Sequence, residues 1–339
     1  MEIRVALGAH SYDIILQRGC LSQAGKLLQL ERRVLLVTDD GVPQAYADTV
    51  AKQCLAPEIV TIPQGEASKS LASFERLLTH MLQSGFTRKD CVVAVGGGVV
   101  GDLAGFAAAS FMRGIDFYNI PTTVLSQVDS SIGGKTAVNL NGVKNIVGAF
   151  YQPKRVLIDP DVLDTLPARQ RVNGLAESVK MALTSDPALF EIFEAQDPDE
   201  ALENIIYRSL LIKKGVVEQD EREAGLRRVL NYGHTIGHGL ESPAAGTGLY
   251  HGESVALGML PFCSDDVRLR LLQVLKKLGL PINADFDADA AMEAILHDKK
   301  GASDGVDVVF VPEVGSYTFR FLSFPAIREA METLRRRTS

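Results

Sequence analysis

The 339-residue sequence contains few cysteines and no long apolar run. Its four cysteines, Cys20, Cys54, Cys91 and Cys263, are widely spaced and form no CxxC pair, so we expect buried, reduced thiols and no disulfide framework. No segment approaches the roughly 18 apolar residues of a membrane helix, and the first residues lack the basic and apolar regions of a signal peptide. These absences predict a soluble, cytoplasmic chain.

Basic residues are also too few for a nucleic-acid or membrane-surface protein. The formal net charge is −7 and the pI is about 5.5, whereas such partners need a broad basic face. Any anionic ligand must therefore be held by local cations. With 46% hydrophobic residues, the chain is long enough for two domains with separate cores.

The first half alternates short apolar runs with amphipathic helical stretches, which is typical of an open, mostly parallel sheet with helices on both faces. The chain should thus begin with an α/β Rossmann-like domain over residues 1–160. The expected strands are 33–39, 58–62, 91–95, 116–120 and 155–158, and the expected helices are 43–54, 69–85 and 99–109.

The second half is rich in Ala, Leu, Glu, Lys and Arg and predicts a mainly α-helical domain over residues 161–339. No repeat, low-complexity tract or flexible linker separates the two domains, so a tight junction is expected. Helices are expected at 170–184, 201–217 and 254–278, strands at 306–311 and 316–321, and a last helix from about residue 325.

A glycine-rich turn, GGGVVGD at 96–102, follows one apolar strand and precedes a helix. Glycines let backbone N–H groups approach a phosphate, and the helix N-terminus favours an anion. The match to GxGxxG is weak evidence, because the turn does not follow the first strand and no acidic residue ends a strand about 20 residues later. The glycines could merely turn the chain, and Asp102 could be an ordinary first-turn carboxylate.

Three of the six histidines, His234, His238 and His251, fall close together in the sequence. His234 and His238 are i and i+4, so on a helix they share one face. Two imidazoles and a carboxylate with one position open form a common catalytic zinc site. Glu177 is the best candidate for a third ligand, although for this residue taken alone an i to i+3 ion pair with Lys180 is the favoured explanation. The histidines could also be ordinary core or surface groups.

Four motifs resemble those of the 3-dehydroquinate synthase family in sequence, order and spacing. They are GGGVVGD at 96–102, PTTVLSQVDSSIGGK at 121–135, GLAE at 174–177 and LNYGHTIGH at 230–238. The resemblance covers roughly residues 33–300 and implies that NAD and zinc or cobalt are cofactors. It implies Glu177, His234 and His251 as metal ligands, with His238 on the substrate side.

The resemblance also implies an NAD site, with Asp39 near the ribose and the glycine turn near the adenosine and phosphates. The implied NAD residues are Asp39, Gln64, Gly65, Glu66, Ala67, Ser68, Lys69, Gly97, Gly98, Val99, Val100, Gly101, Asp102, Thr122, Thr123, Lys135, Lys144, Val162, Leu163, Asp164 and Thr165.

The family substrate is 3-deoxy-D-arabino-heptulosonate 7-phosphate, whose two anionic ends require cations. Each Lys or Arg alone would be taken for a solvated surface charge. The implied catalytic residues are Lys135, Asn231, His238, Asp129 and Arg227. The implied substrate-binding residues are Arg113, Asp129, Lys135, Lys144, Asn145, Lys180, Lys213, Arg227, Asn231, His238 and either Lys299 or Lys300.

In the family reaction, hydride is lost from the C5 carbinol, phosphate leaves by β-elimination, and the returned hydride restores the alcohol. Ring opening and an intramolecular aldol closure then give the carbocycle. The metal is implied to act as a Lewis acid on the reacting oxygens. Phosphate held beside the C–H could serve as its own base, which is a proximity effect.

Other functions remain open from the sequence. A metal-dependent polyol dehydrogenase shares the glycine-rich NAD loop and helical metal domain but needs no phosphate pocket, and other sugar-phosphate cyclases form different carbocycles. Arg113, Asn145, Lys180 and His238 favour the dehydroquinate branch. An NAD-sensing binding module would bind NAD without turnover.

The sequence also departs from the family pattern in two places. Residues 258–281 form a shorter segment than usual, and Lys214 and Gly215 are less usual. The resemblance further suggests a homodimer.

Overall fold

The computed structural model describes residues 1–298 and 304–335, without the side chains of residues 243, 297 and 298. These residues form two compact units. The first contains Met1–Arg171 and Lys213–Glu221, and the second contains Val172–Ile212 and the chain from Arg222 onward. The predicted division at residue 160 concerns binding roles and stays a prediction.

The first unit is built on a seven-stranded sheet with the order β1-β2-β9-β6-β5-β3-β4. β1 is antiparallel to β2, and all other neighbours in this sheet are parallel. The predicted α/β fold with a mostly parallel sheet is therefore confirmed. The strands are β1 Glu2–Val5, β2 Tyr12–Leu16, β3 Arg33–Asp39, β4 Ala56–Ile62, β5 Cys91–Gly96, β6 Asp116–Pro121, β7 Lys135–Leu140, β8 Val143–Phe150 and β9 Arg155–Ile158, and the helices are α1 Ala24–Leu27, α2 Gln44–Ala51, α3 Leu71–Gln83 and α4 Gly98–Ser110.

Strand β3 is buried on both faces, so its side chains divide between two cores. Leu35 and Val37 pack in the same cluster as side chains of α3 and α4. Val34 and Leu36 pack in the other cluster, which contains side chains of α1 and α2. Because side chains alternate along a strand, these clusters lie on opposite faces of the sheet. The predicted helices on both faces are confirmed.

A β-hairpin in the first unit is absent from the sequence prediction. β7 and β8 are joined at Asn141 and Gly142, which both have positive φ angles of 50° and 80°. An Asn-Gly pair is the commonest sequence signal for such a tight turn. This Asn-Gly signal was present in the sequence and was overlooked.

The second unit is mainly helical, as expected, with one antiparallel strand pair. Its elements are α5 Ala168–Ser185, α6 Pro187–Ala195, α7 Leu202–Gln219, α8 His234–Glu241, α9 His251–Met259, α10 Asp265–Leu278, α11 Ala288–Asp298, β10 Gly305–Phe310, β11 Thr318–Ser323 and α12 Phe324–Glu332. The first residues of α5 and the last of α7 are grouped with the first unit. No helix of the described residues is long and apolar enough to cross a membrane.

The prediction of one continuous helix over 254–278 is wrong. α9 ends at Met259 and α10 begins at Asp265, after a cap in which the Ser264 side chain accepts from the Val267 amide. Pro261 lies between them and lacks the N–H group that a continuing helix would require. The Ser264 amide also donates to Val311 at the end of the strand pair, 3.0 Å away. The sequence prediction therefore overlooked two signals for a helix break, Pro261 and the capping residue Ser264.

Helices α8 and α9 pack at unusually close range because glycines occupy their contact. A Cβ atom on Gly258 would lie 2.0 Å from the carbonyl oxygen of Gly233, and one on Gly237 would lie 3.2 Å from the Cα of Val255. Neither backbone could remain in place beside a larger residue at Gly258. This contact brings the first residues of the two helices, His234 and His251, toward each other.

We expect Gly258→Ala to lower stability by about 2 kcal/mol or more, since α8 and α9 would have to separate. Gly215→Ala is the matched control, because Gly215 lies within α7 with open space around its Cα. That change should stabilise the helix by about 0.5–1 kcal/mol. Thermal unfolding followed by circular dichroism at 222 nm measures both. Equal midpoints for the two variants would contradict the close packing.

Candidate active site

The glycine-rich turn joins β5 to α4. β5 ends at Gly96 and α4 begins at Gly98. A Cβ atom on Gly96 would lie 2.6 Å from Cγ2 of Val100, so the turn itself requires glycine there. No side chain in the described part of the chain caps the start of α4, which leaves its first amide groups open to an anion. The predicted strand, turn and helix are confirmed, and the phosphate-binding role stays a prediction.

Asp39 ends β3 beside this turn, because β3 and β5 are parallel neighbours. The chain leaves β3 toward β4 on one side, while β5 lies on its other side. Nucleotides commonly bind at the carboxyl ends of strands at such a reversal. The Asp39 carboxylate accepts from the Gly41 amide at 2.9 Å, and its burial raises its pKa. Asp39 and Gly96 are therefore well situated for the predicted NAD contacts.

The buried ammonium of Lys69 joins two predicted site segments. It donates to the side chains of Asp102 and Asn145. Asn139 holds the same region, since its side chain donates to Glu66 at 2.7 Å and accepts from the Asn145 amide at 2.9 Å. Burial raises the pKa of Asp102, although the charge of Lys69 opposes this. Asp102 lies beyond the first turn of α4, so the ordinary first-turn alternative is wrong.

The remaining predicted NAD residues have mixed exposure. Residues 64–67 are exposed, whereas Ser68, Val162 and Leu163 are buried. The Thr122 amide donates to the carbonyl oxygen of Gly96 at 3.0 Å, and this bond keeps residues 122 and 123 beside the glycine turn. The hydroxyl of Tyr46 contacts the Val162 carbonyl at 3.2 Å.

Two predicted substrate residues, Asp129 and Lys213, form an ion pair in the first unit. Lys213 is buried and donates to the Asp129 carboxylate at 2.7 Å. Asp129 lies in a π-helical turn, Ser126–Ser130, and such turns are frequent at functional sites. Three further predicted cations in this unit have exposed side chains: Arg113, Lys135 and Lys144. Lys299 and Lys300 lie outside the described residues.

Glu177, His234 and His251 come together in the second unit. Glu177 lies in the middle of α5 and is fully buried, and its Oε2 forms an ion pair with Lys180. Its Oε1 lies 3.6 Å from Nε2 of His234 and 3.3 Å from Nε2 of His251. The three predicted side chains therefore lie together, and the alternative ion pair with Lys180 is also present. Both are possible because the histidines face Oε1 of Glu177 and Lys180 contacts Oε2.

The start of α9 is held directly against α5. The Gly252 amide donates to the Asn173 side chain at 2.7 Å, and a Cβ atom on Gly252 would overlap the Asn173 carbonyl oxygen. His251 therefore begins α9 at a fixed distance from Glu177. Together with the α8–α9 contact, this link determines where both imidazoles lie.

Both imidazoles are oriented by a second contact on the opposite nitrogen. Nδ1 of His234 lies 3.2 Å from the Tyr232 carbonyl oxygen, and Nδ1 of His251 lies 2.9 Å from Glu241 Oε2. Metal-ligating histidines nearly always donate their other N–H group to such an acceptor. A proton is thereby held on Nδ1, and Nε2 is the nitrogen that would bind an ion.

These three side chains fit a divalent metal ion. Ligand atoms at about 2.1 Å from a tetrahedral ion lie about 3.4 Å from one another, close to the 3.3 and 3.6 Å distances here. Oε1 of Glu177 is buried and forms no hydrogen bond with the described residues. A second set of ligand atoms, from His238, Glu241 and His251, also lies within 4.8 Å. That set contains the 2.9 Å hydrogen bond between Glu241 and His251, so it fits an ion less well.

The charges of the cluster favour an ionised Glu177. Burial alone would raise the pKa of this carboxyl, but the charges of Lys180 and His234 outweigh burial and hold the pKa well below its usual range. Burial and Lys180 lower the pKa of His234. Burial acts against a charged His251, yet the neighbouring carboxylates of Glu177 and Glu241 raise its pKa. A metal ion would therefore have to displace a proton from His251.

Among the other predicted residues of the second unit, His238 lies beside this cluster. The ring of His238 lies 5.2 Å from that of His234, centroid to centroid. Arg227 is buried, and Asn231 donates to Glu223 at 3.0 Å. Sequence reasoning missed Asn139, Glu223 and Glu241. Only Glu241 had a sequence signal, since it follows His234 by seven residues and shares its helix face.

The comparisons with known proteins agree with these motifs. Residues 59–173 match the family described as 3-dehydroquinate synthase N-terminal, and residues 174–301 match 3-dehydroquinate synthase C-terminal. Over 354 aligned residues, the chain is 41% identical to a 3-dehydroquinate synthase of Streptococcus sanguinis strain SK36, with 98% of this chain and 100% of the relative covered. The chain belongs to the 3-dehydroquinate synthase family.

Two solved structures of related enzymes have the same fold. A 2-deoxy-scyllo-inosose synthase complexed with carbaglucose-6-phosphate, NAD+ and Co2+ has a TM-score of 0.88 and 27% identity, with 98% of this chain and 100% of that chain covered. A 2-epi-5-epi-valiolone synthase from Streptomyces hygroscopicus subsp. jinggangensis 5008, with NAD+ and Zn2+ bound, has a TM-score of 0.86 and 28% identity, with 97% and 98% covered.

We expect His234→Ala to remove metal binding while leaving the fold intact, because one of three ligands is lost at a helix end. Purified protein is dialysed against metal-free buffer, and bound zinc and cobalt are measured by mass spectrometry. The unchanged chain should retain about one ion, and the variant almost none. His10→Ala is the control, since His10 is exposed in the other unit. Equal metal content in His234→Ala and the unchanged chain would refute the ligand assignment.

Proposed function

We propose that this chain converts 3-deoxy-D-arabino-heptulosonate 7-phosphate into 3-dehydroquinate and phosphate, a carbon–oxygen lyase step of the shikimate pathway. The observation that carries the proposal is the buried Glu177 carboxylate facing Nε2 of His234 and His251. It occurs in a chain 41% identical, over its whole length, to a 3-dehydroquinate synthase. The identity to other carbocycle-forming synthases of known structure is lower, at 27% and 28%.

The proposed cofactors are NAD and either Zn2+ or Co2+, which accept the same ligands. Glu177, His234 and His251 would hold the ion. When bound, the ion supplies a Lewis acid for the reacting oxygens, and NAD supplies a reversible hydride acceptor. Asp39 and the open start of α4 are the proposed contacts for NAD, and residues 64–69 would cover it.

Buried cations provide the proposed recognition of the anionic substrate. Lys213 is held in place by the Asp129 carboxylate before any substrate arrives. Arg227 is buried in the second unit, where its charge is costly unless it faces an anion or another acceptor. Fixed cations lose little conformational freedom on binding, which favours affinity for a phosphate or carboxylate.

Proton handling around the substrate hydroxyls is assigned to His238, Asn231 and Lys135. His238 lies beside the metal ligands and is proposed to exchange protons with substrate hydroxyls. Asn231 is oriented by Glu223, whose carboxylate accepts its amide hydrogen at 3.0 Å. Lys135 is the third proposed proton-handling group. Phosphate held by the cations would be close enough to remove the C–H proton itself, so no dedicated base is required for elimination.

The decisive measurement is inorganic phosphate release from the heptulosonate phosphate, followed together with NADH absorbance at 340 nm. We expect phosphate release that needs NAD and stops with a chelator, and no net NADH, because the hydride returns to the substrate. Zinc or cobalt should restore the chelated enzyme. Absence of phosphate release from the metal-loaded, NAD-supplied chain would refute the proposed reaction.

The same assay separates the alternatives. Net NADH formation from a polyol without phosphate release would indicate a dehydrogenase. Turnover of a hexose phosphate in place of the heptulosonate would indicate another sugar-phosphate cyclase. NAD binding without turnover of any of these substrates would indicate a binding module.

The division of roles between the two halves is part of the proposal. Residues 1–160 are proposed to bind NAD, and residues 161–339 to bind the metal and much of the substrate. A cytoplasmic location is also proposed, supported by four cysteines that are all unpaired. The shorter segment at 258–281 includes the link between α9 and α10 and contains none of the proposed ligands.

We further propose that the chain forms a homodimer through β8. Within the described residues, β8 pairs with β7 along one edge, and its sheet has no third strand. Ile146 and Phe150 on this strand are 61% and 46% exposed. An apolar strand with an open edge invites pairing with another chain, and antiparallel pairing of two copies gives a closed, symmetric contact.

Ile146→Glu should convert a dimer into a monomer, since it would bring two buried charges together across a symmetric contact. Light scattering coupled to size exclusion measures the mass. Leu82→Glu is the control, because Leu82 is similarly exposed on helix α3. A monomeric unchanged chain, or equal behaviour of both variants, would contradict β8 as the dimer contact.

A further inference from the structure

Glu241 is a carboxylate at an electrostatically unfavourable place. It is the last residue of α8, where the helix presents its negative end, and acidic side chains are disfavoured there. It nevertheless points its Oε2 at Nδ1 of His251, 2.9 Å away. The side chain is only 19% exposed, so this contact is partly shielded from solvent. An acidic residue at the C-terminal end of α8 does not stabilise the helix, so we infer that Glu241 has another role.

The contact determines which nitrogen of His251 is available. A carboxylate only accepts hydrogen bonds, so it holds a proton on Nδ1 and makes Nε2 the nitrogen that would bind a metal ion. Nε2 of the same ring faces Glu177 Oε1 at 3.3 Å. The carboxylates of Glu177 and Glu241 therefore face opposite nitrogens of the His251 imidazole. They fix the plane of the ring as well as its tautomer.

The two candidate ligand histidines are oriented by acceptors of different strength. Nδ1 of His234 contacts the neutral backbone carbonyl oxygen of Tyr232, two residues earlier, at 3.2 Å. Nδ1 of His251 contacts the charged carboxylate of Glu241, which is closer at 2.9 Å. An ionised acceptor forms a stronger hydrogen bond and makes the opposite nitrogen a better electron donor. Removing Glu241 thus affects metal binding without removing a ligand.

We propose that Glu241 is a positioning residue that orients His251 and strengthens it as a metal ligand. The proposal rests on the metal assignment within the proposed function. It also assigns a residue on the same helix as His234, so that α8 contributes one ligand at its first residue and the support of another at its last. Glu241 does not touch the reacting atoms in this assignment.

The test is a titration of the metal-depleted full chain with Co2+, whose visible absorption reports coordination geometry. Glu241→Ala should weaken Co2+ binding by about 10- to 100-fold and alter the visible spectrum at saturation. Glu241→Gln keeps the side-chain volume and an acceptor oxygen without the charge, so its loss should be smaller. This variant also keeps the test informative if the alanine variant does not fold.

Glu194→Ala is the matched control. Glu194 lies in the same unit, is 29% exposed and forms a two-point ion pair with Arg270. Its removal should leave Co2+ affinity and spectrum unchanged, although stability falls. A structural role of Glu241 alone would predict that both variants lose stability and neither changes the spectrum.

Three outcomes would overturn the proposal. Unchanged Co2+ affinity and spectrum in Glu241→Ala would show that Glu241 does not orient His251. Two ions in the unchanged chain and one in the variant would make Glu241 a ligand of a second ion, together with His238 and His251. No Co2+ or Zn2+ binding by the unchanged chain would instead refute the metal assignment on which the proposal rests.

Discussion

The buried charge of Glu177 is the constraint on which the helical unit depends. A fully buried carboxylate is strongly unfavourable unless cations or donors surround it. Lys180, one turn later on α5, supplies one partner, and His234 and His251 supply the other side. Those imidazoles reach Glu177 because α8 and α9 touch through glycine and because α9 begins against α5. The close packing of α8 and α9 therefore also stabilises the buried charge of Glu177, because it brings both imidazoles to the carboxylate.

The first unit depends on a comparable arrangement around Lys69. Its buried ammonium joins Asp102 on α4 to Asn145 on β8, and so ties the glycine-rich turn to the hairpin. Lys213 and Asp129 form a second such pair. In both cases a cation that could meet an anionic ligand is already paired and positioned. Binding would then exchange or extend existing contacts, which costs less ordering than recruiting mobile surface lysines.

The sequence predicted the parallel sheet and the helical unit because apolar periodicity and glycine position are local signals. It also predicted Glu177, His234 and His251, since their spacing and the family motifs are visible in one dimension. It could not predict Asn139 or Glu223, because their partners are determined by tertiary contacts and neither residue type is unusual in a loop or strand. The break between α9 and α10 was predictable in principle from Pro261 and Ser264, but helical composition concealed it.

Glu177 both pairs with Lys180 and approaches the two histidines in the structure, and this has an electrostatic consequence. Lys180 neutralises the carboxylate through Oε2, so a divalent ion at Oε1 would keep most of its charge uncompensated. Glu241, behind His251, offsets part of that charge through the imidazole. A net positive site remains. Such a site binds an anionic substrate more strongly than a neutral polyol, which favours a phosphorylated sugar acid over a simple alcohol.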